Sequence, residues 1–181
     1  MRAMALLFTL SLSVTLLGCP ADDVDETGDT DTTDTDEIDT GSETSAIVDA
    51  WRSDGDDISP LFQTAFFDYV RIDATFHDDK NYEVEAENSS GQLFTFTGQF
   101  ETDTSTTPHT IVLDQDTPSD ARAEGIWQVD TTSGTVLTYE VVQVLPDIGA
   151  TPPTPAGDFG STVSAGLAVG DNIQTYVPLT R

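Results

Sequence analysis

The chain is poor in cysteine, in positive charge and in long apolar runs. Of its 181 residues only Cys19 is a cysteine, which excludes an intramolecular disulfide and a cluster of thiolates around a metal. Lysine and arginine number 6 against 33 acidic residues, a formal charge of -27. Nucleic acids are bound through cations that displace counterions from phosphate, and anionic lipid heads are held by basic patches; this balance argues against both. Cation binding, halotolerance and solubility are compatible with it. The uncharged, leucine-rich run from Met4 to Leu17 falls short of the about 20 apolar residues that a transmembrane helix needs. The Gly-x-Ser-x-Gly elbow that marks many esterases is absent.

What is present begins with that short run. Arg2 supplies a positive start and Met4 to Leu17 an apolar core, so residues 1–18 read as an export signal. Leu16-Leu17-Gly18-Cys19 follows at the right distance and resembles the lipobox of bacterial lipoproteins. The resemblance implies that Cys19 is acylated on sulfur and becomes the first residue of the mature chain. Acyl chains contribute about 0.8 kcal/mol per buried methylene, so several of them make a lasting membrane anchor. The expected location is the cell envelope, lipid-anchored, with the outer membrane in first place.

Residues 19–45 read as a tether. Eleven acidic residues and no basic one fall between Pro20 and Ser45, with almost nothing apolar. Such a segment cannot bury enough surface to offset its chain entropy. A flexible chain of this length spans roughly 30 Å, and a fully extended one about 85 Å. Asp29, Asp31, Asp34 and Asp36 suggest a calcium loop, but Thr33 breaks the alternation and Asp34 stands where an EF-hand requires glycine. A solvated spacer is the expectation.

From Ala46 the composition changes, and period-two alternation dominates. Val70, Ile72, Ala74 and Phe76 alternate with Arg71, Asp73 and Thr75. Asp78-Asp79-Lys80 turns the chain, and Tyr82, Val84 and Ala86 return against Glu83, Glu85 and Glu87. This predicts a hairpin with one wet face. Further strands are expected over Ile47 to Arg52, Gln92 to Glu101, Thr110 to Asp114, Arg122 to Asp130, Thr135 to Leu145 and Ile173 to Val177. Leu61 to Phe67 reads as a short bridging segment or a helical turn. Gly98, on the same face as Phe94, Phe96 and Phe100, marks a bulge or sharp coil. Pro146 to Asp171 reads as an irregular loop. Strands joined in sequence, with a last strand free to close the sheet, predict an all-β antiparallel meander closing into a barrel of about eight strands over residues 46–181.

Trp51 in the first strand, the run of hairpins and the closing strand resemble the lipocalin-like domains of bacterial lipoproteins. The tail segments Thr151-Pro152-Pro153-Thr154-Pro155 and Asp171-Asn172-Ile173-Gln174-Thr175-Tyr176 resemble those of uncharacterised lipoproteins of that kind. Asp49 stands where the lipocalin Gly-x-Trp motif has its glycine. The resemblance implies a fold and a small apolar ligand, not a reaction. On this reading the ligand-facing residues are Phe76, Tyr82, Phe94, Phe96, Phe100, Trp127 and Tyr139. The wider inward set adds Val70, Ile72, Val84, Val129, Leu137 and Val141. Seven of these thirteen are aromatic rings, and the interior of an eight-stranded barrel is only just wide enough for side chains or one small ligand. A mostly filled interior is therefore expected, with a ligand pocket as the alternative. No charged residue belongs to the set, so a ligand would have no ionic anchor.

Other chemistry has weaker footing. His77 and His109 with Asp78 or Asp79 could hold a metal, but they fall in a turn and beside a loop proline, where surface histidines commonly have no role. Asp158-Phe159-Gly160 matches the magnesium tripeptide of kinases without any of its companion motifs. Glu83, Glu85 and Glu87 lie on a wet strand face, where carboxylates serve solubility. No catalytic residue, metal or cofactor is expected, nor a nucleic-acid partner; a monomer is. The function classes are an envelope-anchored binding module, then a filled structural or interaction module, and remotely a hydrolase.

Overall fold

A computed structural model of the protein describes residues 46–179. The readings of signal, Cys19 and tether fall on residues outside this range.

Period-two alternation broken by turn residues yields eight strands: β1 Ala50–Asp54, β2 Tyr69–Phe76, β3 Asn81–Asn88, β4 Leu93–Asp103, β5 His109–Thr117, β6 Ala121–Asp130, β7 Val136–Leu145 and β8 Ile173–Pro178. Each is antiparallel to the next, and β8 returns to β1, so the meander is a closed barrel. The seam between β8 and β1 is short. It pairs Trp51 with Pro178 and Arg52 with Val177, and Leu179 N–H donates to the Ala50 carbonyl at 2.7 Å. Closure removes the exposed strand edge that an open meander would present. Leu61 to Phe67 is a series of turns, with Phe62 N–H donating to Ser59 and Phe67 N–H to Thr64, both at 3.0 Å.

The outer face of β1–β3 is laced by ions. Arg52 grips both Asp73 oxygens at 2.7 Å, and Arg71 reaches Glu87 at 2.9 Å. These are rim pairs worth at most about 1 kcal/mol each. They give the scarce arginines partners and leave the inner face to apolar groups.

Register departs from simple alternation at two instructive points. Between Tyr69 and Arg71 the pairing of β2 with β3 shifts. The extra residue turns Val70 outward, 46% exposed, and sends Tyr69 in, 9% exposed; Val70 is therefore not part of the interior. At Gly98 the expected bulge is present, between Thr97 and Gly98 in the β4–β5 pairing. A Cβ there would stand 2.1 Å from the Asp114 carbonyl oxygen, so only glycine allows the two strands to approach this closely.

The connections alternate between two ends. The chain enters β1 at the end that also carries the 77–80, 104–108 and 131–135 turns. The opposite end carries residues 55–68, 89–92, 118–120 and the long 146–172 connection.

Candidate functional site: a half-open barrel

At the entry end, large side chains fill the barrel. Trp51, Phe100, Ile111, Trp127 and Leu137 are all buried. Trp51 Nε1 donates to the Ile47 carbonyl at 2.9 Å and Trp127 Nε1 to the Thr110 carbonyl at 3.2 Å, so both indoles bury their one polar atom satisfied. Phe76 stacks edge-on against Phe100 at 5.1 Å and forms the boundary of this plug.

Beyond Phe76 the interior opens. A cavity of about 530 Å³ runs to the other end, within the range of about 300–1,000 Å³ common to small-molecule sites. The expectation of a filled interior therefore holds for one end only. The reason is side-chain size: Ala86, Ala121 and Ala123 line this half, with Val84, Val141 and Leu113 as the larger aliphatics. Of the seven residues expected to face a ligand, Tyr82, Phe96 and Tyr139 do line the cavity. Phe76, Phe100 and Trp127 belong to the plug. Phe94 packs on Tyr69 at 5.6 Å beside the mouth.

All four tyrosines of the chain, Tyr69, Tyr82, Tyr139 and Tyr176, line the cavity. Tyr139 and Tyr176 meet edge-on at 6.3 Å, and Phe76 lies 6.4 Å from Tyr82 and 6.3 Å from Tyr139. These three tyrosines thus form a floor directly on the plug. Burial pushes the Tyr82 hydroxyl up to about 12, with Asp116 and Asp114 adding to the effect. Burial raises Tyr176, helped by the charge of Asp73. It raises Tyr139 as well, and there the neighbouring Tyr176 and Tyr82 hydroxyls contribute. Tyr69, nearer the mouth, is raised by burial alone. Among the described residues no Asp, Glu, Lys, Arg or His lines the cavity.

The mouth is built by two connections. Residues 55–68 carry Phe62 and Phe67, which pack on each other at 5.3 Å and on Tyr69 at 5.9 and 5.6 Å. This segment is tied down by Leu61 N–H donating to the Asp171 carbonyl at 2.9 Å, which links it to the second connection. Gln174 fastens it from inside, accepting from Ser59 N–H at 2.9 Å and donating from Nε2 to Ser53 Oγ. The 146–172 connection contributes Ile148 and Ser164 to Leu167 to the lining. Its anchor is Glu140, which is fully buried. The carboxylate accepts from Gly160 N–H at 2.6 Å and from Thr162 Oγ1 at 2.5 Å. Phe66, Leu145 and Ile148 stand exposed at this end.

The two histidines do not meet. His77 sits in the β2–β3 turn, where its backbone N–H donates to the Asn81 carbonyl at 2.9 Å, and His109 lies against Trp127 at 4.6 Å. Among the described residues no three His, Cys, Asp or Glu side chains gather to hold a metal.

Sequence reasoning missed Phe62, Phe67, Tyr69 and Tyr176 as lining residues. Tyr176 alternates inward with Gln174 on β8, and that period was available as a signal. Tyr69 was hidden by the bulge, and the two phenylalanines by the irregular segment that carries them.

Comparison with family models, with curated proteins and with solved structures gives no match to this chain.

Proposed function

We propose that the protein is an envelope lipoprotein, anchored through Cys19, whose lipocalin-like barrel binds a small apolar ligand in its open half. The observation that carries this reading is the cavity of about 530 Å³, lined largely by aromatic and aliphatic side chains, in the half of the barrel beyond the plug. Burial of an apolar surface there is favourable by roughly 25 cal/mol per Å². Exposed Phe66, Leu145 and Ile148 near the mouth give an apolar molecule a path that is not wholly polar.

The anchor reading rests on Leu16 to Cys19, and Cys19→Ser should abolish acylation and release the chain from the detergent-soluble membrane fraction. The binding reading is tested with the chain from residue 19 onward carrying Cys19→Ser. Native mass spectrometry of this protein, purified from cells without detergent, should show a bound small molecule that Ala123→Phe excludes. An empty barrel that also fails to bind N-phenyl-1-naphthylamine, a neutral apolar fluorophore, would leave the interaction-module reading in its place.

A further inference from the structure

We propose that the cavity takes an uncharged amphiphile head first, seating its hydroxyl, carbonyl or amide group on the hydroxyls of Tyr82, Tyr139 and Tyr176. This rests on the binding reading above and narrows it to a ligand class.

Three observations lead there. The floor brings three phenols together on aromatic and aliphatic surroundings, apart from the amide side chains of Gln115 and Gln143 on the lining. Tyr82, Tyr139 and Tyr176 are 5%, 8% and 5% exposed, and among the described residues no hydrogen bond ties their hydroxyls to another side chain or to the backbone. A phenol both donates and accepts, so three of them can satisfy a neutral head that also does both. The three hydroxyls are not among the sealed, unpartnered atoms of the wall and so open onto the cavity, where a polar head keeps them partnered as it displaces water.

The second observation is that no ionic side chain of the described residues stands on the lining. A buried ion without a counter-charge loses hydration that the cavity does not return. This weighs against an anion and a cation alike. The third observation separates those two. Residues 46–181 carry 22 acidic side chains against 5 basic, a formal -17. Burial first, and the charges of Asp73, Asp114 and Asp116 after it, favour the neutral forms of Tyr176 and Tyr82 on the floor itself. A negative head on that floor would meet the same field. Of the buried amides on the lining, Gln174 is occupied by Ser59 and Ser53, and Asn172 spends its Nδ2 on the Val141 carbonyl and Thr162 Oγ1, so neither is placed to receive a carboxylate.

The chemistry thus orders three ligands that share one tail: decan-1-ol first, decyltrimethylammonium second, decanoate last. The experiment uses the chain from residue 19 with Cys19→Ser at pH 8, where decanoate is fully ionised. Each compound is titrated against bound N-phenyl-1-naphthylamine, and the fluorophore's loss of emission reports displacement. Decan-1-ol should displace it at a concentration at least ~10-fold below that of decanoate. Because any apolar pocket favours a neutral chain to some degree, the floor is then tested directly. Tyr139→Phe combined with Tyr176→Phe keeps both rings and removes two hydroxyls. It should weaken decan-1-ol by roughly 3- to 10-fold, the effect of one or two net hydrogen bonds, while the fluorophore binds within twofold of before. Decanoate matching the alcohol, the ammonium exceeding it, or the double variant leaving the alcohol unchanged would each overturn the proposal. A fluorophore that does not bind at all would instead remove the binding reading on which it stands.

Discussion

At the end where the chain enters the barrel, Trp51, Phe100, Ile111, Trp127 and Leu137 meet across the interior and close it. At the other end the same strands present Ala86, Ala121, Ala123 and Val141, and a cavity of about 530 Å³ remains. Strand number and pairing are common to both ends, so architecture does not decide between a plug and a pocket. The sizes of the inward side chains do. Polar groups follow the same division. The plug satisfies each indole N–H on a backbone carbonyl, as a core must. The open half gathers all four tyrosines on its wall, as a binding surface can.

Alkali should break this comparison most severely. A tyrosine whose hydroxyl is raised on folding leaves stability untouched below about pH 10, where both states are protonated. Above it the unfolded chain ionises and the folded one does not, so stability falls by ~1.4 kcal/mol per pH unit for each tyrosine so held. Tyr82, Tyr139 and Tyr176 are all held in this way. Phenolate absorbance near 295 nm should therefore stay low until the domain unfolds, and then rise together with the loss of circular dichroism. Tyrosines that titrate near pH 10 in a domain still folded would mean that the open half is wet.

Substitution in the plug comes next. Trp127→Ala should lower stability to urea by ~3–5 kcal/mol, the usual range for removing a large buried ring. The inference of two separable halves requires that the surviving folded protein keep its affinity for N-phenyl-1-naphthylamine.

A smaller effect is expected outside the barrel wall. Glu140→Ala removes the acceptor of Gly160 N–H and Thr162 Oγ1, and hydrogen bonds to a charged group contribute ~1.5–3 kcal/mol. Amide exchange should quicken over residues 157–163 and leave β1 to β4 unchanged. Because residues 164–167 line the mouth, ligand affinity should fall with it.

Much of this was legible in the sequence. Alternation and turn residues located all eight strands, most to within a few residues, because a half-buried strand must alternate and a hairpin must turn on residues such as Asp79-Lys80 or Asn88-Ser89. Gly98 announced its bulge for the same reason. The site was legible only in part. Alternation identifies which side chains point inward, but not how far along the barrel each one sits. Tyr82 and Phe76 looked equivalent, yet one lines the cavity and the other caps the plug. A single extra residue at Val70 reversed the facing of Tyr69, and no composition rule marks such a bulge without glycine. Phe62 and Phe67 lie in turns with no period to read.

The division of the barrel is tested most directly by nuclear Overhauser contacts from bound decan-1-ol to assigned methyl groups. Contacts are expected to Val84, Ala86, Leu113, Ala123 and Val141, which line the open half, and none to Ile47, Ile111 or Leu137 in the plug. Contacts to the plug methyls, or contacts confined to exposed Leu145 and Val177 on the outside, would contradict it.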